Sequence, residues 1–340
     1  MSEDNRCIVE KKGKRMHHGN VSKEIAEGLR VLRNRIDTAN IPSSSLDETL
    51  NVATWNIREF GRKKRRKASI HFIAEILGQF DLISVTELRD NISDLKRVMD
   101  ILGPYWKVVY SDYNTDRAGN RERIAYVYDK RAVAFTGLAA EADPPRKKMK
   151  VIVNGEEVME YRSLITWWRS PFMASFRAGD FDFIVISAHI RWDKQGGEES
   201  RKRALDLLAK WVDKRRKDKH LIDKDIILMG DFNIPAVGDE LFDALTSKGL
   251  RIPKSLVGTH GTNLAKNKRY DQILHFPRYT KCFTDHGGVL DFYANNHRPL
   301  FPGDAMAKKA FTYQLSDHLP LWVQLDTDID DEKLDQILNR

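Results

Sequence analysis

The sequence predicts an α/β fold, a layered domain running from about residue 48 to 327. Three observations predict it. Short apolar runs rich in Val, Ile and aromatics alternate with stretches of helical periodicity. No glycine-rich dinucleotide-type loop joins a strand to a helix. Several of the apolar runs end on a residue able to bind a hard cation or move a proton.

The elements follow in chain order. From Ser22 onward, Ile25, Leu29, Leu32 and Ile36 recur at near-helical spacing, and Ile41-Pro42 stops the pattern. Pro42-Ser43-Ser44-Ser45 reads as a linker, so residues 1–47 are expected to form an N-terminal extension with one amphipathic helix. Strands are predicted over 51–56, 82–87, 124–128, 183–189, 226–230 and 319–325. One helix face is made by Ile70, Ile73, Ala74 and Leu77, a second by Ile92, Leu95, Met99 and Leu102. A third is made by Ala204, Leu208, Trp211 and Val212. Residues 328–340 are expected to be an acidic C-terminal tail. Trp167-Trp168, Tyr161 and Phe172 fall between strand signals and read first as core packing, second as a stacking platform.

Composition limits the function classes. The 340 residues include 57 Lys+Arg and 49 Asp+Glu, a formal charge of +8, with 41% hydrophobic residues. That is an ordinary globular composition. No apolar run nears the roughly 18 residues of a membrane-spanning helix. The first twenty residues lack the apolar stretch of a secretory signal, and Cys7 and Cys282 are too few for a disulfide framework. The expectation is a cytoplasmic, intracellular protein, monomeric and not membrane-bound. Most of the positive excess sits in one run, Arg62, Lys63, Lys64, Arg65, Arg66 and Lys67, which reads as a solvated loop or a polyanion contact.

The ends of the predicted strands carry the chemistry. They run into Asn56, Glu87, His189 and Asp231-Phe232-Asn233, and Ser316-Asp317-His318 precedes the last strand. If the carboxyl ends share one crevice, Glu87, Asp231 and Asp317 with the amide oxygens of Asn56 and Asn233 form an oxygen-rich set. Oxygen donors suit Mg²⁺, Mn²⁺ or Ca²⁺, and with two histidines the set points to metal-assisted hydrolysis of a phosphate ester.

Thr54-Trp55-Asn56-Ile57-Arg58, Thr86-Glu87-Leu88-Arg89-Asp90, Ser187-Ala188-His189, Gly230-Asp231-Phe232-Asn233, Tyr270-Asp271-Gln272-Ile273 and Ser316-Asp317-His318 stand in order. Together they resemble the endonuclease/exonuclease/phosphatase superfamily, and most nearly its pancreatic-type deoxyribonuclease I branch. The resemblance implies a four-layer α/β sandwich, two mixed sheets face to face with helices outside. It also implies a divalent cation, Mg²⁺ foremost, anchored by Glu87 with Asn56 and Asp317. Glu122, within Arg121-Glu122-Arg123, is implied as the partner of His189, and Asp271 as that of His318. His189 is then expected to donate a proton to the leaving oxygen, with His318 on the attacking water or the phosphate. Asp231 is the competing base, held by Asn233. Arg169, within Arg169-Ser170-Pro171, resembles a phosphate contact. Asn120 stands where that branch has a groove-stacking aromatic, and its paired cysteines are absent.

Arg58 and Arg89 each follow a presumed site residue by two positions and so share its face along an extended strand. With Arg62, Lys63 and Lys64 they favour a polyanionic track, and the expected substrate is double-stranded DNA, cut without sequence preference; 5′-phosphate and 3′-hydroxyl ends are what the resemblance implies. A phosphoinositide phosphatase or sphingomyelinase-like phosphodiesterase is the alternative within the fold. An abasic-site endonuclease and a non-catalytic scaffold fit less well.

Overall fold

The computed structural model describes residues 15–113, 120–164, 167, 169–192, 197–330, 334 and 338; Cys7 and Trp168 lie outside them. The first half contains α1 (Lys23–Asp37), β1 (Thr49–Phe60), α2 (Lys67–Leu77), β2 (Leu82–Arg89), α3 (Ser93–Leu102), β3 (Trp106–Tyr110), β4 (Glu122–Asp129) and β5 (Ala134–Glu141). A hairpin of β6 (Arg146–Val153) and β7 (Glu156–Ser163) follows, then β8 (Phe172–Ala178) and β9 (Phe181–His189). The remainder comprises α4 (Gly197–Lys217), β10 (Ile226–Asp231), α5 (Glu240–Thr246), β11 (Asp271–His275), β12 (Phe283–Val289), α6 (Lys308–Thr312) and β13 (Leu321–Asp326).

Two mixed sheets form the body. One has the order β12-β13-β1-β2-β4-β3, the other β11-β10-β9-β8-β5. Within them β1 and β2 are parallel, as are β9 and β10, so all four carry their carboxyl ends the same way within their sheet. The expected α/β sandwich is therefore present, and each of the six predicted strands lies within or overlaps an observed one.

Strand alternation shows how the layers are built. Along β9, Phe183 and Val185 join one core cluster, whereas Ile184, Ile186 and Ala188 join a second with Leu205, Leu208 and Val212 of α4. Ile227 and Met229 of β10 go with the first set, Ile226 and Leu228 with the second. Both faces of these strands are buried, which explains their unbroken apolar runs. α1, α2 and α3 contribute to the first cluster through Leu32, Phe72 and Val98, and α1 is seated there by Ile25, Leu29 and Ile36. Between the sheets Ser84 Oγ and Ser187 Oγ are 2.6 Å apart, and the Tyr126 hydroxyl donates to Phe172 O at 2.6 Å. Gly230 has φ 131°, and a Cβ there would lie 2.1 Å from Ala188 O, so the close approach of β9 and β10 requires glycine. Among the described residues no helix is long and apolar enough to cross a membrane.

Candidate active site

The parity that buries Val185 and Met229 between the sheets also carries His189 and Asp231 there, at the last residues of β9 and β10, which are direct partners in the ladder. Asn56 comes from β1 on the facing sheet. Its Nδ2 donates to Asp231 Oδ2 at 2.9 Å and to Glu87 Oε1 at 3.0 Å. Glu87 has φ 61°, a conformation costly for a non-glycine residue, and its other oxygen accepts from Glu59 N at 2.7 Å. The β1–β2 and β2–β4 registers shift next to these residues, so the ladder is broken where the carboxylate is presented.

Asp231 Oδ2 is the point of convergence. His189 Nε2 lies 3.6 Å away and His318 Nε2 3.8 Å away. Each imidazole is backed at Nδ1 by a buried carboxylate, His189 by Glu122 at 3.0 Å and His318 by Asp271 at 2.8 Å. Asn233 N donates to Asp231 Oδ1 at 3.0 Å, and Asn233 Nδ2 donates to Ile190 O at 2.7 Å, with φ 52° at Asn233. Asn233 thus fixes the Asp231 carboxylate through its backbone.

The electrostatics of the two imidazole pairs differ. Burial would raise the Glu122 carboxyl, but His189, Arg169 and Arg89 hold it down at about 2. Burial would likewise raise Asp231, and His318, His189 and the Asn56 amide lower it instead. Asp271 is raised by burial, although His318 opposes this. Burial would lower His318, but Asp271 and Asp231 raise it well above its ordinary value. At neutral pH the arrangement is an ionised Asp231 beside an imidazolium at His318.

The donor set fits a hard divalent cation. With Asn56 Nδ2 engaged by two carboxylates, Asn56 Oδ1 is buried without a hydrogen-bond partner, and so is Asp271 Oδ1. Among the described residues, donor atoms of Asp231, Asp271 and His318 lie within 4.8 Å of one another. Glu87 and Asn56 adjoin this group through Asp231. Asp317 stands apart from it, its carboxylate 3.1 Å from Arg58 Nη1 and its side chain 40% exposed.

The predicted cationic residues divide into two groups. Arg89 is buried, its guanidinium held by Glu59 at 3.3 Å, by Glu122 at 3.8 Å and by the Asn120 carbonyl. Arg169 is half-buried, its side chain 9% exposed, and pairs with Glu122 at 2.5 Å, while its Nη1 has no hydrogen-bond partner. Arg58 is half-buried, bonded to Thr312 and lying 4.2 Å over the Tyr313 ring as well as pairing with Asp317. In the cationic run, Arg65 is buried and donates to Arg58 O at 2.6 Å, whereas Arg62, Lys63 and Lys64 are exposed. Arg62 pairs with Glu59 at 2.6 Å. On the His189 side a hollow of about 290 Å³ opens, lined by Glu122, Arg123, Glu141, Arg169 and Ser170.

Three further residues support the site; Ser316 stands within a motif legible in the sequence, whereas Arg201 and Trp192 carry no sequence signal strong enough to find them. Ser316 Oγ donates to Asn56 O at 2.6 Å and accepts from His318 N at 3.0 Å, tying two distant motifs together. Arg201 of α4 donates to Asn233 O at 3.0 Å and stacks 4.2 Å from the Trp192 ring. Trp192, 45% exposed, lies beside Tyr270, which in turn contacts the His318 ring. Helical spacing could have hinted at Arg201, but nothing in the sequence pairs it with Asn233.

A family model described as the Endonuclease/Exonuclease/phosphatase family matches residues 53–318. No curated protein matches the chain significantly in sequence. Solved structures share the fold. The human Nocturnin catalytic domain with bound sulfate is 13% identical, covering 83% of this chain and 95% of that one, at TM-score 0.50. Truncated Caenorhabditis elegans TDP2 is 13% identical, covering 82% and 97%, at TM-score 0.52. D. rerio TDP2 complexed with single strand DNA product is 14% identical, covering 81% and 98%, at TM-score 0.50.

Proposed function

The chain belongs to the endonuclease/exonuclease/phosphatase family, and from that premise we propose that it is a divalent-metal-dependent phosphodiesterase cutting double-stranded DNA without sequence preference. The products are 5′-phosphate and 3′-hydroxyl ends. The observation that carries the reading is the meeting of Asn56, His189 and His318 on Asp231 Oδ2, with a buried carboxylate behind each imidazole. The nearer likeness to pancreatic-type deoxyribonuclease I belongs to this proposal and rests on the sequence motifs.

Glu87 and Asn56 would hold the cation, Mg²⁺ foremost with Mn²⁺ or Ca²⁺ as alternatives, and Asp317 would stand at the margin. When bound, it neutralises charge on the phosphate oxygens, an effect of several kcal/mol in such sites. The ionised Asp231, steered by Asn233, takes the proton of the attacking water. His318, kept protonated by Asp271, holds a phosphate oxygen. Glu122 fixes the His189 tautomer with Nδ1–H toward the carboxylate, so that Nε2 delivers a proton to the leaving oxygen. Arg169 Nη1 offers an unused donor beside His189 for the same phosphate. Lys63 and Lys64, with Arg62 and the edge of Arg58, give the duplex backbone its exposed cations.

One observation favours a second reading. Arg89 is buried against carboxylates, and Arg169 pairs with Glu122 while lining only a small hollow, which suits a compact phosphate ester such as a phosphoinositide or sphingomyelin headgroup as well as a polymer. Supercoiled plasmid incubated with Mg²⁺, Mn²⁺ or EDTA, beside a phosphoinositide phosphate-release assay, separates the two. Nicking is expected with metal only and is expected to vanish in His189→Ala. Nicking that survives EDTA or that substitution would overturn the mechanism, and phosphate release without nicking would select the second reading.

A further inference from the structure

Between Ala142 and Leu164 the second sheet is interrupted by β6 and β7, which pair only with each other over eight residue pairs, Arg146↔Ser163 to Val153↔Glu156. Every residue of the two strands except Val151 is exposed, including Ile152, Met159 and Tyr161 at 76%, 52% and 68%. A two-stranded ribbon with both faces in water is marginal by itself, so exposed apolar and aromatic groups here need a reason outside the fold. At about 3.3 Å per residue the arm reaches roughly 25 Å from its base.

The base stands at the active site. Glu141, the last residue of β5, lines the same hollow as His189 and Glu122 and accepts from Asp112 N at 3.0 Å. Ala142 N donates to Pro171 O at 2.8 Å, and the returning strand leads within six residues to Arg169, which pairs with Glu122.

Strand alternation sorts the arm's side chains onto two faces. One face carries Lys147, Met149, Val151 and Val153 opposite Arg162, Glu160, Val158 and Glu156, and its charges cancel. The other carries Arg146, Lys148, Lys150 and Ile152 opposite Ser163, Tyr161, Met159 and Glu157. On that face Lys150 pairs with Glu157 at 2.8 Å and Arg146 with Asp143 at 3.6 Å. Lys148 has no ion-pair partner among the described residues, and its direct cross-strand neighbour is the exposed Tyr161. An unpaired cation beside an exposed aromatic, near the start of a positively charged face, is matched to a phosphate–sugar–base unit.

We propose that the β6–β7 arm is a second contact for the nucleic acid, in which Lys148 and Arg146 engage backbone phosphates and Tyr161 packs against the sugar or base. The inference rests on the nucleic-acid reading of the active site and extends it outward by several nucleotides. A lipid surface fits less well, because the turn Asn154-Gly155 is followed by Glu156 and Glu157, which an anionic or apolar membrane would repel.

Binding is read by fluorescence anisotropy of a 30-base-pair duplex in EDTA over a salt series, with nicking of plasmid and hydrolysis of bis(p-nitrophenyl) phosphate in Mg²⁺. Lys148→Glu combined with Tyr161→Ala is expected to weaken duplex binding about tenfold and to lower the slope of log K against log salt by about one. Lys148→Arg should bind as the wild type does, and all variants should hydrolyse the small diester at the wild-type rate. Unchanged duplex affinity and slope, with the wild type nicking plasmid, would overturn the arm alone. A wild type that hydrolyses the small diester but neither binds nor nicks DNA overturns the nucleic-acid reading and the arm with it. Loss of binding to phosphatidylserine vesicles instead of duplex would reassign the arm to membranes.

Discussion

His189–Glu122 and His318–Asp271 have the same chemical design, an imidazole backed at Nδ1 by a buried carboxylate, yet they differ in what lies behind the carboxylate. Glu122 is enclosed by arginines, Arg169 at 2.5 Å and Arg89 at 3.8 Å, and Arg89 passes the contact on to Glu59 and Arg62. Asp271 has no arginine within ion-pair distance among the described residues; Thr262 Oγ1 takes the Asp271 backbone N–H, and Asp271 Oδ1 is unpartnered. The first carboxylate is stabilised by fixed charge, and the second depends on its histidine. Equal motifs therefore hold protons differently, because in a buried site the outer neighbours set the charge balance.

The largest expected effect breaks both pairs equally. His189→Ala and His318→Ala should each lower the rate of phosphodiester hydrolysis by about 10²- to 10⁴-fold, measured as single-turnover kinetics at saturating metal. A loss below tenfold in either would remove that histidine from the proton chemistry.

Next comes a difference between the carboxylates. Glu122→Gln leaves Arg169 and Arg89 facing a neutral group in a buried site and should destabilise the protein by roughly 3–5 kcal/mol in urea unfolding. Asp271→Asn strands no arginine and should cost clearly less. Equal losses would mean that the arginine surround contributes nothing.

The pairs should also fail at opposite ends of the pH scale. Glu122 lies at about 2 against an ordinary 4.5, so its stabilising contribution is complete above about pH 4.5 and disappears as pH falls toward 2. His318 lies above its ordinary 6.5, so its contribution is complete below about pH 6.5 and is lost as pH rises through the raised value. Tm profiles of wild type and Glu122→Gln should converge in acid, and those of wild type and His318→Asn in alkali. The alkaline limb of activity should move to lower pH in Asp271→Asn, since the carboxylate that holds the His318 proton has gone.

The smallest effect concerns the rim on the His318 side. Trp192→Ala should raise KM about three- to tenfold with kcat little changed, the signature of lost substrate packing, in line with roughly 1 kcal/mol for one stacked aromatic. A matching fall in kcat would instead place Trp192 in the support of His318 through Tyr270.

Reading the sequence located the strands whose two faces are both buried, because unbroken apolar runs such as 183–188 and 226–229 have few other uses. It passed over β3, β5, β11 and β12, which are short, half-exposed or interrupted, as by Gly287-Gly288 in β12, and over β8, which is buried at every position but Arg177. It also passed over the β6–β7 arm, where charged and apolar residues alternate without any buried face to organise them. Tyr161 was read with Trp167 and Phe172 as packing. Trp167 and Phe172 are buried and Tyr161 is not, a distinction no local pattern carries. Nor does any local pattern mark His18, whose Nε2 lies 2.6 Å from Glu75 of α2 and whose Nδ1 lies 2.9 Å from His71.

The chain by itself determined the inventory and its order: which acids, amides and imidazoles stand at strand ends, and that their motifs match one family. Strand ends are legible because a strand buried on both faces carries mostly apolar or small side chains, so the acid, amide or imidazole that closes the run stands out. Tertiary structure alone decided which of those groups meet and which arginines remain available. Arg65 and Arg89 look as cationic in sequence as Lys63 and Lys64, but the first two are buried against backbone carbonyls and carboxylates. Charge is a property of the residue; what that charge does depends on neighbours that the fold supplies, for Arg89 about thirty positions away on either side.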